Sequence, residues 1–204
     1  MPAQNTGVPL LPAQVKPAAV VMARAFMQDP FFTFVFPKAA RRARILPWIF
    51  EKNLRYGQRY GKVFTSASLE GISLWLGPEK PGLEWMGTLL SGLVLLPLKL
   101  SWPELQKSLR LSKFAGQLHQ KSISGRHWYL VGLGVEPSRQ GRGVAGALMQ
   151  PVLALADQEK VACYLDTNNE LNIPFYERVG FCVAGKGQAS QAGPRTWGML
   201  RQPG

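Results

Sequence analysis

A glycine-rich turn after the apolar segment HWYLVGLGV constrains the fold of this chain more than any other feature. The turn reads EPSRQGRGVAGALM over residues 136–149, and residues that favour a helix follow its glycines. A strand that leads through such a turn into a helix directs several backbone N–H groups at one point, where they bind phosphate. The turn therefore predicts an α/β fold with a phosphate-bearing ligand at the carboxyl end of a strand.

Two fingerprints overlap in this turn and predict different ligands. Gly141, Gly143 and Gly146 form the G-x-G-x-x-G pattern of dinucleotide-binding folds, and Asp166 follows at the position of a ribose-binding carboxylate. However, five residues separate the strand from the first glycine, and only 204 − 166 = 38 residues follow Asp166. That length is too short to complete a doubly wound sheet. The sequence therefore favours the second fingerprint, Q-x-x-G-x-A at 140–145.

The second fingerprint is suited to a diphosphate. Glycine at positions 141 and 143 permits a tight backbone path and close approach of the ligand. The N-terminus of the following helix adds about half a positive charge. Arg139 and Arg142 can add side-chain cations beside the phosphates.

Two longer motifs extend this pattern. V-x-P-x-x-Q-G-x-G-x-A is followed, after one strand, by N-x-x-F-Y-x-x-x-G-F over Asn172–Phe181. Together they resemble the GCN5-related N-acetyltransferase (GNAT) superfamily over residues 127–185. The segments HWYLVGLGV, NIPFYERVGF and GPRTWGML, and more loosely ARAFMQDPFF, are similar to the puromycin N-acetyltransferase branch. The resemblance implies a GNAT fold: a central mixed, mostly antiparallel sheet, splayed at the acetyl-CoA site and flanked by helices.

The resemblance also implies the roles of individual residues. Tyr176 takes the general-acid position, because a phenol can protonate the departing CoA thiolate. The alternative from the residues alone is a tyrosine packed beside Phe175, and Asn172 could likewise be a helix-capping asparagine. The implied cofactor is acetyl-CoA, and its binding residues are Leu133, Gly134, Val135, Arg139, Gln140, Gly141, Arg142, Gly143, Val144, Ala145, Asn172 and Tyr176.

The general base is less well indicated. The central strand carries no glutamate, and Asp166 ends the next strand at the expected mouth of the site. Asp166 is therefore either a catalytic group that takes the amine proton or holds a cationic substrate, or the cap of a helix that begins near Asn168. His119 and His127 are interpreted as surface histidines.

Hydrophobic periodicity predicts the remaining elements of a single domain over residues 1–204. Asp29-Pro30 ends the first helix, and 78–121 is predicted to be a helical insertion near the acceptor site. Its apolar part, 85–100, is compatible with a lid, a buried helix, a homodimer surface or a membrane contact. Helices are predicted at 17–28, 39–60 and 168–179, and strands at 62–68, 71–76, 127–135, 161–166, 181–184 and 195–200. Candidates for an aromatic substrate wall are Trp75, Trp85, Trp128, Trp197, Phe31 and Phe32.

The composition limits the classes of partner. Lys and Arg number 24 against 12 Asp and Glu, a balance that suits an anionic ligand. The basic clusters at 41–44 and 107–113 are interpreted as solvated faces, so no nucleic acid is expected. No zinc-ligand spacing, signal-peptide pattern or membrane-spanning run is present. Cys163 and Cys182 are predicted to be buried free thiols, which indicates a reducing, cytoplasmic location.

Together these features predict an acetyl-CoA-dependent N-acetyltransferase that acts on a small-molecule amine. The amine is expected to attack the thioester directly, and no metal is expected to take part. Two alternatives stay open: a protein or peptide N-acetyltransferase, and a non-catalytic acyl-CoA-binding module. The identity of the amine is not determined by the sequence.

Overall fold

A computed structural model describes residues 7–79 and 95–204 of the chain. The strands are β1 (Val8–Pro9), β2 (Gly61–Thr65), β3 (Gly71–Leu76), β4 (His127–Val135), β5 (Ala162–Thr167), β6 (Cys182–Gln188) and β7 (Arg195–Arg201). The helices are α1 (Val15–Ala25), α2 (Pro30–Val35), α3 (Ala39–Tyr60), α4 (Leu96–Lys99), α5 (Trp102–Ser122), α6 (Val144–Glu159) and α7 (Ile173–Arg178). Three-residue 3-10 turns precede α1, α6 and α7.

The strands form one seven-stranded sheet in the order β1-β2-β3-β4-β5-β7-β6. All neighbours are antiparallel except β4 and β5, which are parallel. This arrangement confirms the predicted α/β fold with a mixed, mostly antiparallel sheet. The central strand and α3 keep their predicted bounds. The helix predicted at 168–179 is wrong in extent, because a 3-10 turn at Glu170–Asn172 replaces its first part.

The two central strands separate towards their carboxyl ends. β4 pairs with β5 only from His127 to Leu130, whereas β4 continues to Val135 and β5 to Thr167. Beyond this point β4 pairs with β3 alone, and β5 pairs with β7 alone. A β-bulge at Val131, where the register of β3 shifts between Leu74 and Trp75, adds twist at the same place. The result is a wedge-shaped gap between β4 and β5.

Helices cover both faces of the sheet. Successive side chains of a strand point to opposite faces. Accordingly, Trp128 and Leu130 of β4 pack in one apolar cluster with Met149 and Val152 of α6. Val131 packs against the other cluster, which contains the buried faces of α1 and α3. The gap therefore lies in a sheet that is packed on both faces.

Helix α6 runs without interruption through Pro151, which lacks an N–H donor. The carbonyl of Ala147, which an ordinary residue at 151 would bond, accepts from the N–H of Gly7 at 3.3 Å. The next carbonyl, that of Leu148, accepts from the buried Ser73 hydroxyl at 2.8 Å. Because Pro151 cannot donate, the Ala147 carbonyl is available to accept from Gly7, and this hydrogen bond ties α6 to the residue before β1.

Helix α5 begins with a capping box between Ser101 and Glu104, and Pro103 lies in its first turn. The helix packs on β5, β6, β7 and α2, over the face of the sheet opposite α6. Trp85 and most of the apolar run 85–100 lie outside the described residues. Only the end of that run, in and around α4, is described, and Leu98 is exposed there.

Arg42 is buried and holds the connection between α1 and α3. Its Nε donates to the carbonyl of Met27 at 2.8 Å, and its Nη1 donates to those of Phe36 and Pro37 at 2.7 and 2.9 Å. The interpretation of the 41–44 cluster as a solvated face is therefore wrong for Arg42. Its guanidinium satisfies three carbonyls of a segment that has no sheet partner.

Replacing Arg42 with Met is expected to lower the free energy of unfolding by about 3 kcal/mol, because hydrogen bonds to charged groups contribute roughly 1.5–3 kcal/mol each. Urea denaturation measures the difference. Arg44→Met is the matched control, since Arg44 is exposed on the same helix, and its effect should stay within about 0.5 kcal/mol. Equal unfolding midpoints for the two variants would contradict this role of Arg42.

Candidate active site

The loop between β4 and α6 has the backbone geometry that a phosphate group needs. Gly141 and Gly143 have φ angles of 75° and 80°, in the left-handed region that glycine enters at little cost. A Cβ at either position would meet no atom within 4 Å, so the space above the loop is open. Gly143 is the N-cap of α6, and no side chain caps its first N–H groups. The residues of this loop fit a diphosphate.

The polar side chains of the loop divide into two groups. Arg139 pairs with Glu70 at 3.1 Å, and Gln140 donates to the carbonyl of Val135 at 3.2 Å. These two side chains hold the loop against the sheet. Arg142 is exposed and forms no ion pair with any residue that the structure describes. Of the two arginines expected beside the phosphates, Arg142 is thus the unpaired one.

A cavity of about 400 Å³ adjoins the wedge between β4 and β5, and we call it the gap cavity. One wall consists of Leu130–Leu133 and Leu165–Asn168 from the two strands, and Asn172 and Tyr176 complete that side. The opposite wall carries the aromatic side chains Phe26, Phe31 and Phe32. The structure therefore brings together four of the predicted site residues: Leu133, Asp166, Asn172 and Tyr176.

The other two predicted β4 residues lie beyond this lining. A Cβ at Gly134 would sit 2.7 Å from the Met22 sulfur, so the backbone of β4 packs closely against α1 there. Val135 is buried against Val144 and Leu148. Their side-chain faces belong to the packing of the sheet, whereas their backbone edge towards β5 has no strand partner.

Tyr176 lies on α7 with its ring buried. The ring contacts Phe175 and Phe181, with centroid distances of 5.2 and 6.1 Å, and it lines the gap cavity. Burial raises the pKa of Tyr176 well above its ordinary value, and the nearby carboxylates Asp166 and Asp29 raise it further. The phenol consequently keeps its proton at neutral pH.

Asp29 is a residue of the cavity that the sequence did not single out as functional. It follows α1, and its Oδ1 accepts from the N–H of Phe31 at 2.9 Å, which caps α2. Burial raises the pKa of Asp29 to about 6, against the opposing hydrogen bonds from Phe31 and Phe32, and Asp166 adds to the rise. The pattern Asp-Pro is an N-cap signal. No feature of the neighbouring sequence indicates that the Asp29 carboxylate also lines a cavity.

Asp166 also lines the gap cavity, and its Oδ1 accepts from the Tyr129 hydroxyl at 2.7 Å. Burial raises the pKa of Asp166, and the Tyr129 hydrogen bond opposes that rise. The interpretation of Asp166 as a helix cap is wrong, because Asn169 accepts from the N–H of Leu171 and caps the turn that follows. Asp166 therefore caps no helix, and it lines the gap cavity.

A second cavity, of about 600 Å³, lies beneath helix α5, and we call it the α5 cavity. It shares four lining residues with the gap cavity: Phe31, Ser112, Asp166 and Asn168. Its far end is formed by His119 of α5 and His127 of β4. Asp166 therefore stands where the two cavities meet.

The two histidines form a pair, and the prediction that they are surface histidines is wrong. His127 is 4 % exposed, its Nε2 lies 2.6 Å from Nε2 of His119, and its Nδ1 lies 2.8 Å from the Gly125 carbonyl. His119 also stacks on Tyr164 with centroids 4.1 Å apart. Burial lowers the pKa of His119 to about 4 and lowers that of His127. The last turns of α5 cover the start of β4, which the sequence does not reveal.

Other candidate residues fall at different places. Phe31 and Phe32 line the gap cavity, whereas Trp75 and Trp128 belong to the core and Trp197 is buried in β7. Cys163 is a buried free thiol, as predicted, but Cys182 is exposed because β6 is the edge strand of the sheet.

Over 7–79 and 95–204, no helix is long and apolar enough to cross a membrane. The same residues contain no cluster of three or more His, Cys, Asp or Glu that could hold a metal ion.

Comparisons with known proteins agree with this geometry. The model of the acetyltransferase (GNAT) family matches residues 108–181, which include the glycine loop and Tyr176. A Schizosaccharomyces pombe protein described as an uncharacterised N-acetyltransferase is 29% identical over 174 residues, which cover 81% of this chain and 70% of that relative.

Solved structures share the fold across the whole chain. A Corynebacterium glutamicum protein, described as histone acetyltransferase HPA2 and related acetyltransferase, has a TM-score of 0.66 at 20% identity and covers 98% of this chain and 96% of its own. Arylalkylamine N-acetyltransferase 2 of Aedes aegypti has a TM-score of 0.65 at 12% identity, with 97% and 98% covered. The family match covers the loop and the tyrosine helix, and the solved structures share the fold, so the chain is similar to acetyltransferases of the GNAT superfamily in both respects.

Proposed function

We propose that this enzyme transfers the acetyl group of acetyl-CoA to the primary amine of a small molecule. The observation that carries the proposal is the convergence of Tyr176, Asp29 and Asp166 on one cavity at the gap between β4 and β5. A proton donor and two carboxylates next to an open strand edge are the groups that amine acetylation requires.

The loop and the gap together suit the two halves of acetyl-CoA. The N–H groups that follow Gly141 and Gly143, with the Arg142 side chain, would hold the diphosphate. The unpaired edge of β4 beyond Leu130 offers backbone N–H and carbonyl groups to the amides of the pantetheine arm. Asn172, which makes no capping hydrogen bond in α7, lies beside that arm's path. When bound, acetyl-CoA supplies the activated acetyl thioester.

The three titratable groups take different parts in the reaction. A C–N bond forms and a C–S bond breaks, so the amine nitrogen loses protons while the departing sulfur gains one. Tyr176 keeps its proton at neutral pH and donates it to the sulfur, and the second proton that the nitrogen loses as the amide forms returns through solvent to the phenolate. Asp29, with a pKa of about 6, is ionised at neutral pH yet basic enough to take a proton from the ammonium. Asp166, steadied by Tyr129, holds the ammonium by charge and is the second candidate for the base.

The volumes of the two cavities favour a small molecule over a protein amine. Pockets of roughly 300–1,000 Å³ suit small ligands, and both cavities, at about 400 and 600 Å³, fall in that range. Residues of α5 line both cavities, which supports the proposal that 78–121 is an insertion at the acceptor site. A protein or peptide substrate would instead need an open groove. The homodimer, the cytoplasmic location and the likeness to puromycin acetyltransferases stay predictions.

Release of CoA thiol in the presence of an amine panel tests the proposal. The panel contains aryl-alkylamines, aminonucleosides, polyamines, aminoglycosides and a lysine peptide, and a reaction without amine measures hydrolysis. We expect release well above hydrolysis with at least one small amine and none with the peptide. Turnover of the peptide alone would favour the protein-directed alternative. Acetyl-CoA binding without release for any amine would favour the non-catalytic module.

A further inference from the structure

The volumes of the two cavities bear on where the amine substrate, which accepts the acetyl group, binds. The gap cavity, at about 400 Å³, includes the wedge that the acetyl end of the cofactor enters under the proposed function. That volume is near the lower limit for one small ligand. The α5 cavity offers a further 600 Å³ or so and borders the first at Asp166. Each cavity is thus large enough for one substrate.

We propose that the α5 cavity binds the acetyl acceptor, and that the acceptor is a monoamine with an aromatic body and a hydrogen-bond donor at the end opposite the amine. This inference rests on the proposed function and names the substrate class of the same site. It assigns substrate recognition to the pair His119 and His127, which the acid–base chemistry does not use.

The charge of the cavity limits the number of ammonium groups to one. Asp166 is the single carboxylate in the lining of the α5 cavity among the described residues, and it lies at the border with the gap cavity. An ammonium bound there points towards the thioester end. A polyamine or an aminoglycoside would place further cations along a wall that offers no carboxylate to pair them, at a large desolvation cost.

The middle of the cavity suits an aromatic body. Phe31 of α2, Tyr129 of β4, and Leu111 and Ala115 of α5 line the cavity. Aromatic and aliphatic walls contribute binding through burial of apolar area and through ring packing.

The far end of the cavity presents a neutral acceptor. The Gly125 carbonyl can only accept, so Nδ1 of His127 carries its proton and Nε2 of His127 has the lone pair. The short Nε2–Nε2 contact then requires a proton on Nε2 of His119, which leaves Nδ1 of His119 as an acceptor with no hydrogen-bond partner among residues 7–79 and 95–204. Because the pKa values of both rings are lowered by burial, the pair is uncharged at neutral pH. A hydroxyl or N–H donor on the ligand matches it.

Filling the α5 cavity tests the assignment of the site. A Cβ at Gly116 meets no atom within 4 Å, and Gly116 lines the cavity, so Gly116→Phe places a ring in open space. We expect the KM for the amine to rise about tenfold or more while the KM for acetyl-CoA stays unchanged, because a filled pocket excludes the ligand's body. Gln117→Phe is the matched control, since Gln117 is exposed on the same helix and lines neither cavity. An unchanged amine KM for Gly116→Phe would overturn the assignment.

A pair of amines that differ in one hydroxyl tests the recognition of the donor. We expect kcat/KM for tyramine to exceed that for phenylethylamine by about 3- to 10-fold, the worth of one hydrogen bond. In His119→Leu the ratio should fall to about one, and turnover of phenylethylamine reports that the variant is folded. A ratio near one in the wild type, or a ratio that persists in the variant, would overturn the donor class.

The outcomes separate this inference from the proposed function. If no amine of the panel is acetylated, the proposed function itself fails. If amines are acetylated but neither variant changes the amine KM or the ratio, the acceptor site lies elsewhere and only the inference fails.

Discussion

Tyr176→Phe is expected to lower kcat for amine acetylation by about 10²- to 10⁴-fold, the usual contribution of a general acid or base. The phenylalanine ring keeps the contacts with Phe175 and Phe181, so only the proton donor is lost. The departing thiolate would then take its proton from solvent. Steady-state kinetics at saturating acetyl-CoA measures the change, and the KM for acetyl-CoA should stay the same.

Tyr164→Phe provides the matched control. Tyr164 is fully buried, its hydroxyl interacts with Ser122, and it lines neither cavity. Loss of this hydroxyl should change kcat by no more than about twofold, because a single neutral hydrogen bond outside both cavities contributes little. Undiminished turnover in Tyr176→Phe would exclude Tyr176 as the general acid, and the phenol would then be a packing residue.

Asp29→Asn is expected to lower activity and raise stability at the same time. The amide oxygen can still accept from Phe31 and cap α2, so the fold of the segment is kept. Loss of the base should lower kcat/KM by about 10²-fold or more. In the wild type, kcat/KM should rise with pH through about 6 as Asp29 ionises, and that limb should disappear in the variant.

The stability effect follows from the direction of the pKa shift. Folding raises the pKa of Asp29 from 3.8 to about 6, so the folded protein binds this proton more tightly than the unfolded chain. The contribution to stability is therefore most favourable below about pH 4 and falls as pH rises to 6, by roughly 3 kcal/mol for two pKa units. Asp29→Asn removes this loss, so its free energy of unfolding should exceed that of the wild type at pH 8 and match it near pH 4.

Asp157→Asn is the control of opposite sign. The Arg201 guanidinium holds the pKa of Asp157 at about 2, so the ionised carboxylate stabilises the fold above about pH 4 and loses that effect as pH falls towards 2. This variant should be less stable than the wild type at pH 8. If kcat/KM of Asp29→Asn still rises with pH through about 6, Asp29 is not the base, and Asp166 is then the candidate for that role.

Much of the architecture follows from local patterns. The strand at His127–Val135 and the helix at Ala39–Tyr60 have their predicted bounds, because long periodic segments carry a strong signal. Gly141 and Gly143 adopt the left-handed conformation, which gives the loop the tight backbone path that the sequence predicts. The sequence does not predict the six-residue helix α2, because the helix is too short to show a period and Asp29-Pro30 indicates only the end of α1.

The composition of the site depends on contacts between distant parts of the chain. Asp29 and Asp166 are 137 residues apart (166 − 29), and their mutual repulsion exists only after α1 and β5 pack on the same cavity. His119 and His127 are close in sequence, yet their pairing depends on how α5 turns back over β4. Burial then changes the pKa of each group, and burial is a property of the packed state.

The sequence by itself determined the fold class, the glycine loop and the position of Tyr176, because each is encoded by neighbouring residues that restrict the backbone in the same way. The tertiary structure decided which carboxylates and histidines share a cavity and which of them are uncharged at neutral pH. The physical reason is that desolvation and charge coupling act through space, over distances that the order of residues along the chain does not specify.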